Sequence, residues 1–321
     1  MTKGHASNGE TNPASAGPKS EDHIVMLGTK AAHERHFLAR LVGYCRRNPA
    51  FPIGLGILGF LVAFAGLGRL LWPVELAQPL SSGPYMPPNA ENPFGTDTQG
   101  RDVLAVTIAG TWLTMRTGII AAALGTAIGS ALGFASGYFG GWVDNVVNWI
   151  VDVLLTVPAI LILVVIAASI PGQLSSLSMA FIIALLAWRR PTRQVRSQVL
   201  VMRNMGYVDT ARLSGMSGFE IILRELVPNL LPYLVAVFVL AVSASILAAV
   251  GLQAMGLGPQ NEPTLGMTVY WMMYYSAFLQ GLWWWIMPPV FVIILLFVGF
   301  YLLSTGLDEF ANPRLRQDNH R

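Results

Sequence analysis

The chain has little charge, and the charge it has is unevenly placed. Only 12% of its 321 residues are charged and 54% are hydrophobic, whereas soluble domains usually carry about twice that share of charge. Between residues 110 and 188 the only charged side chains are Arg116, Asp144 and Asp152. This stretch cannot supply the polar surface of a water-soluble fold. The composition therefore predicts an integral membrane protein.

Other absences exclude several kinds of chemistry. Cys45 is the single cysteine, which excludes an intrachain disulfide. All five histidines lie before residue 37 or after residue 319, so none can join a metal site or proton relay in the apolar region. The patterns G-x-x-x-x-G-K-[ST], H-E-x-x-H and G-x-S-x-G are absent, and these are typical of a P-loop, a zinc protease and a serine hydrolase. We expect a non-catalytic chain that binds no metal or cofactor itself.

What the sequence does contain is six apolar windows. A membrane-spanning helix needs about 20 apolar residues, and the windows are 51–72, 113–134, 146–170, 177–188, 230–250 and 283–303. The fourth is short, and we expect its helix to continue past Arg189. The predicted fold class is an all-α polytopic membrane protein with six transmembrane helices.

These windows divide the chain into five predicted parts. Residues 1–34 are polar and lack an apolar signal-peptide core, which predicts a disordered cytoplasmic tail. Residues 35–75 hold the first span, and residues 76–110 form an external loop rich in Pro, Asn and Gly. Residues 111–310 form a core with five spans, and residues 311–321 form a cytoplasmic C-terminal tail.

The basic residues predict the orientation. They are concentrated before the first window, between the fourth and fifth windows, and after the sixth. Only Arg69, Arg101 and Arg116 lie on or near the other side. Because Lys and Arg mark cytoplasmic loops, we expect both termini and the fourth-to-fifth loop to be cytoplasmic.

Two features of the spans predict how the helices pack. Gly125, Gly129 and Gly133 recur every four residues and should face another helix, because small residues let membrane helices approach closely. Pro158 should kink the third span, and a neighbouring group must then satisfy the carbonyl that it frees.

Three residues of the spans leave their roles open. Asp152 is the one charge expected to be buried within a span, as a passage residue or as a satisfied carboxylate at a helix start. Trp283 and Trp284, with Trp285, lie where the last external loop meets the membrane. They fit an interfacial aromatic belt, or a contact with substrate or a partner.

The segment 206–228, between the fourth and fifth spans, predicts two short helices with a turn at Gly215. Glycine permits the positive φ that such a turn requires. Ser217 can cap the second helix, with Glu220 at the capping-box position. Pro228 should end that helix before the fifth span. An ordinary amphipathic connector is the alternative.

This segment resembles the EAA loop of ABC importer permeases. Asp209, Thr210 and Ala211 stand for E-A-A, Gly215 for the family's glycine, and Val227-Pro228 for its Leu-Pro. Asp, Thr and Val here replace Glu, Ala and Leu. The resemblance implies that a coupling helix docks on a cytoplasmic ATPase, through the following residues: Asp209, Thr210, Ala211, Arg212, Gly215, Met216 and Ser217.

Further motifs resemble the C-type permease of dipeptide, oligopeptide and nickel importers. Residues 92–102 are similar to its external motif H-P-(L/F)-G-T-D-x-x-G-R-D, with Asn92 in place of His. The motif residues here are Gly95, Asp97, Gly100, Arg101 and Asp102. Residues 137–144, 151–158, 256–258 and 312–316 match later landmarks, so the resemblance covers about residues 36–316.

The resemblance implies a type I importer permease fold that works by alternating access in the cytoplasmic (inner) membrane of a prokaryote. The chain would pair with a second, similar permease, two ATPase subunits that bind ATP and Mg, and an external solute-binding protein. The implied substrates are peptides, with oligosaccharides or nickel chelates as alternatives. Oligosaccharides are suggested by the aromatic last external loop. A stand-alone channel or secondary carrier is the alternative from another class, and a membrane-embedded enzyme is a further one.

Overall fold

The computed structural model describes Cys45 and residues 48–311. The regular secondary structure of that part is helical and is joined by turns and irregular loops, with one isolated β-bridge between Thr96 and Asp102. The predicted tail 1–34 and residues 312–321 lie outside the described residues. The α-helices are α1 (Ala50–Leu71), α2 (Val103–Phe139), α3 (Gly141–Thr156), α4 (Ala159–Ser169), α5 (Ser176–Ala187), α6 (Arg189–Met202), α7 (Gly206–Leu213), α8 (Gly218–Ile221), α9 (Val227–Ala254), α10 (Leu265–Tyr274) and α11 (Trp283–Ala311).

Four helical segments are long and apolar enough to cross a membrane. They are Ala50–Leu71, Val103–Phe139, Gly218–Ala254 and Trp283–Leu307. The bent pair α3 and α4 supplies a fifth if it is one span. The fourth window corresponds to the short apolar helix α5, and α6 follows it after Trp188 alone, as the expected continuation past Arg189 requires. An all-α protein with several apolar spans is therefore confirmed, and the number six stays a prediction.

The third window is broken at Pro158, as predicted. Helices α3 and α4 meet at 85° around this residue. Proline has no N–H, so the carbonyl of Leu154, four residues earlier, has no helical donor. The Arg189 guanidinium donates to that carbonyl through Nη1, and its Nε donates to the Leu186 carbonyl at 2.8 Å. A neighbouring side chain thus satisfies the freed group.

The glycine stripe of α2 faces α5 and α6, which confirms the expected helix contact. A Cβ on Gly125 would lie 2.5 Å from the Ala187 Cβ, and one on Gly129 would lie 2.5 Å from the Trp188 carbonyl oxygen. On Gly133 it would lie 2.9 Å from the Thr192 carbonyl oxygen. Only glycine allows α2 to approach the other backbone this closely.

The fifth window belongs to a helical segment that runs from Gly218 to Ala254, so the prediction that Pro228 ends a helix is wrong. Residues Ile222–Leu226 form a π-helical turn, in which the Val227 N–H donates to the Ile222 carbonyl. Pro228 follows in the first turn of α9. Proline is tolerated there, because the π-helical turn changes the hydrogen-bond pattern just before it and the first turn of a helix does not require the N–H that proline lacks. The Asn229 amide donates to the Glu225 carbonyl at 2.7 Å.

Helix α2 lies at the centre of the compact unit formed by α1 to α11. It contacts α1, α5, α6 and α9. One buried cluster joins α2 to α1, α9 and α11, and a second joins it to α4, α5 and α9. A third cluster joins the end of α2 to α6 and to the segment 206–228. Packing through α2 therefore connects the apolar helices with the segment 206–228.

Candidate functional site

The segment 206–228 forms the two predicted helices with a turn between them. Helix α7 ends in a pair of backbone bonds, from the Gly215 N–H to the Arg212 carbonyl (3.0 Å) and from the Met216 N–H to the Ala211 carbonyl (3.2 Å). This pattern is a Schellman motif, and Gly215 takes the positive φ of 81° that it requires. The Ser217 hydroxyl then accepts the Glu220 N–H at 3.3 Å and begins α8.

The seven predicted coupling residues divide between the surface and the protein interior. Ala211 is buried with Val208 in the cluster that holds the segment against α2 and α6, and Met216 packs against that cluster. The other five are exposed: Asp209, Thr210, Arg212, Gly215 and Ser217. The segment therefore presents a polar rim above a packed base.

Two aromatic residues at the end of α2 support the turn. A Cβ on Gly218 would lie 3.0 Å from the Tyr138 ring and 3.1 Å from the Phe139 ring. The Arg212 guanidinium lies over the Tyr138 ring at 5.6 Å, and its Nη1 donates to the Asp209 carboxylate at 2.9 Å. The neighbouring Tyr138 side chain is the main cause that raises the pKa of Arg212, so the residue stays cationic. These contacts fix the turn to α2.

Sequence reasoning missed the exposed apolar residues of this segment. Leu213 is 90% exposed, Phe219 67% and Leu223 52%. They lie on both sides of the Gly215 turn, and such a group is typical of an interaction site. The amphipathic pattern could have indicated Leu213, because the helix that buries Val208 and Ala211 must turn Leu213 outward.

The segment 92–102 is a compact loop held by hydrogen bonds and a buried ion pair. The Asp97 carboxylate accepts the Arg101 N–H at 2.9 Å and the Arg101 Nε at 2.6 Å, and both side chains are buried. Gly95 (φ 65°) and Gly100 (φ 71°) lie tightly against the carbonyl oxygens of Met86 and Ser82. These contacts give the predicted motif residues a structural role that joins the loop to the start of α2.

Asp102, the last residue of this segment, is the N-cap of α2. Its Oδ1 accepts the Ala105 N–H at 2.7 Å and the Trp72 Nε1–H at 3.3 Å, whereas its buried Oδ2 has no partner. Burial outweighs these hydrogen bonds and raises the pKa of Asp102 above the usual aspartate range. The carboxylate therefore caps the helix at some cost in desolvation.

The three consecutive tryptophans have different surroundings. Trp283 is 59% exposed, whereas Trp285 is 1% exposed and packs with Val103 in a buried cluster. The Trp284 Nε1–H donates to the Thr96 carbonyl at 3.3 Å and holds the segment 92–102. Of the two tryptophans predicted to contact substrate, only Trp283 has a largely exposed ring.

Asp152 is not a buried charge. Its side chain is 55% exposed and forms an ion pair with Arg193 of α6, itself 59% exposed. Asp152 lies on an exposed face of α3. The predicted burial of this residue within a span is therefore wrong for the single chain. Within the described part of the chain, no three His, Cys, Asp or Glu residues could together hold a metal ion.

Comparison with known proteins gives one family match. Residues 125–317 match the family described as binding-protein-dependent transport system inner membrane component. The dipeptide transport system permease protein DppC of Bacillus subtilis is 32% identical over 272 residues, which cover 85% of this chain and 84% of that protein. A putative peptide transport system permease protein of Brucella abortus is 30% identical, covering 85% of this chain and 90% of that one.

A partial match extends this group. The oligopeptide transport system permease protein OppC of Mycobacterium tuberculosis is 32% identical over 177 residues, which cover 54% of this chain and 60% of that protein. All three relatives carry names of peptide transport permeases.

Proposed function

Because this chain belongs to the family of binding-protein-dependent transport system inner membrane components, we propose that it forms half of the passage of an ATP-driven peptide importer. A second, similar permease would supply the other half. Two cytoplasmic ATPases would bind ATP and Mg, and an external solute-binding protein would deliver the peptide. The chain itself would be a non-catalytic subunit with six spans and both termini in the cytoplasm.

The observation that carries the proposal is the exposed apolar group beside the Gly215 turn. Leu213, Phe219 and Leu223 are exposed on a segment that is otherwise anchored to α2 and α6. A rigid element with an apolar surface and a polar rim suits a protein partner. We assign this partner as an ATPase subunit, with Asp209, Thr210, Arg212 and Ser217 at the rim.

The proposed mechanism is alternating access. Closure of the ATPases would move the segment 206–228, and the packed base at Val208 and Ala211 would pass that movement to the spans. ATP must bind the two states differently to shift their populations. The chain lacks the P-loop pattern of such ATPases, and in this mechanism the driving energy would come from the docked subunits.

Peptides are the proposed substrate class because the relatives are named for peptide transport. The binding protein would set selectivity, and this chain would shape the passage. Import of a labelled dipeptide, an oligopeptide, an oligosaccharide and a nickel chelate into proteoliposomes, each with its cognate binding protein, would distinguish the classes. A complex that imports only the oligosaccharide would contradict the peptide assignment.

Reconstitution with and without the ATPases tests the importer itself. We expect peptide import only with the four-subunit core and ATP, whereas equal flux through this chain alone would indicate a channel or secondary carrier. Leu213→Asp should weaken ATPase binding by about 30-fold, as expected for the loss of an apolar anchor at an interface. Leu80→Asp is the matched control, because Leu80 is 86% exposed in the first loop. Equal ATPase recovery with both variants would contradict the docking role.

A further inference from the structure

A row of arginines joins α6 to the broken third span. Arg189, Arg193 and Arg196 are spaced by four and three residues, so they lie on one face of α6. Each reaches α3: Arg189 donates to the Leu154 carbonyl, Arg193 pairs with Asp152, and Arg196 pairs with Asp144. As residue numbers rise along α6 they fall along α3, so the two helices are joined along their length.

The Arg196–Asp144 pair is the one contact of this row in which two guanidinium nitrogens bind both carboxylate oxygens. Nε and Nη2 of Arg196 donate to the two carboxylate oxygens of Asp144 at 2.5 and 2.6 Å. The Asn148 amide adds a donor to the same carboxylate at 2.6 Å. The side chains are only 27% and 18% exposed. A two-point contact with limited access to water resists both rotation and separation.

A second face of α6 is fixed to α2. Val195 and Val199 are fully buried and lie against Gly133 and Gly137 of α2. At the end of the helix, the Arg203 Nη1 donates to the Gly137 carbonyl at 3.0 Å. Helix α6 is therefore held on two faces, and it leads through Arg203 to Met205, the N-cap residue of α7.

We propose that Arg189, Arg193 and Arg196 are positioning residues that make the broken third span move with α6 when the segment 206–228 is displaced. The arrangement places the docking segment at one end of α6 and the Pro158 break at the other, with arginine contacts between them. This inference rests on the proposed import function. It assigns the three arginines to the coupling between ATP hydrolysis and transport.

Charge exchange at the Arg196–Asp144 pair tests the inference in the complete importer in proteoliposomes. The readout is the number of peptides imported per ATP hydrolysed, together with the hydrolysis rate. Asp144→Arg and Arg196→Asp should each lower that ratio by about tenfold, a change within the range of coupling energies between contacting residues. The double exchange should restore at least half of the wild-type ratio. Arg190→Asp, an exposed charge on another face of α6, should leave the ratio unchanged.

A double exchange no better than either single variant would overturn the inference, and so would single variants with a wild-type ratio. If the single variants do not assemble, Arg196→Lys keeps the charge but loses the two-point contact. It should assemble normally and lower the ratio, and a wild-type ratio in this variant would also overturn the inference. Absence of import by the wild-type complex would instead contradict the proposed function, so the two failures are distinguishable.

Discussion

Gly215 offers a test of the docking segment in which backbone conformation is separated from side-chain contact. Its φ is 81°, and a Cβ added there would have no heavy atom within 4 Å. The Cβ of Gly215→Ala or Gly215→Val therefore meets no steric obstacle from neighbours, and we expect the effect of these substitutions to come from the backbone. Because the Schellman motif depends on this φ, a substitution should shift the turn out of its native geometry.

The size of the effect follows from the cost of the left-handed conformation. An L-residue at positive φ loses about 1–2 kcal/mol, which changes an equilibrium by a factor of about 5 to 30. Valine should cost more than alanine because of its β-branching. Asparagine tolerates this region better, so Gly215→Asn should retain most of the affinity. If the turn must be native for docking, the affinity for the ATPase should fall in the order Gly, Asn, Ala, Val.

The assay is titration of the purified ATPase onto the permease pair in nanodiscs, with recovery of the pair as the measure of insertion. Gly206→Ala is the matched control, because Gly206 has no positive φ and also has no heavy atom within 4 Å of an added Cβ. It should bind like the wild type. Equal affinity of the alanine and valine variants with the wild type would refute the reasoning, as would an asparagine variant as weak as valine.

Two further substitutions test packing and capping. Gly129→Ala should destabilise the purified protein by about 1–3 kcal/mol in thermal unfolding, because its Cβ would lie 2.5 Å from the Trp188 carbonyl oxygen and overpacking costs that much. Gly59→Ala, whose Cβ would meet nothing within 4 Å, should have little effect. Equal stability of the two variants would contradict the role of the glycine stripe in helix packing. Asp102→Ala should lose about 1 kcal/mol of helix capping, whereas Asp102→Asn should be at least as stable as the wild type at pH 7. Because the folded-state pKa of Asp102 is raised, the contribution of Asp102 to the free energy of unfolding is present below the usual aspartate pKa and is lost as pH rises through the raised value. The advantage of the Asn variant in thermal unfolding should therefore shrink on acidification. An Asn variant as unstable as the Ala variant at pH 7 would contradict this.

Local rules in the sequence predicted much of the fold. Apolar length located the helices, although α2 begins ten residues before its window because Asp102 caps it at the end of the segment 92–102. Glycine spacing predicted the face of α2 that packs, and Gly215 and Ser217 predicted the turn and the cap. Each of these depends on near neighbours in the chain.

Pro228 shows where local rules fail. A proline normally ends a helix because it lacks an N–H, yet the π-helical turn Ile222–Leu226 lets the segment continue. That turn is buried against residues from α2 and α6 at Ile222 and Leu226, so contacts distant in sequence support it.

By itself, the sequence determined that the chain is helical and apolar, that the third span breaks at Pro158, that the chain turns at Gly215, and which family it belongs to. These features depend on composition, spacing and order along the chain. Only the tertiary structure decided the surroundings of single polar and aromatic residues. Asp152 and Asp144 are both acids of α3, yet only the fold shows that each faces an arginine of α6. Exposure and pairing depend on which helix lies opposite, and that is a property of the packed chain.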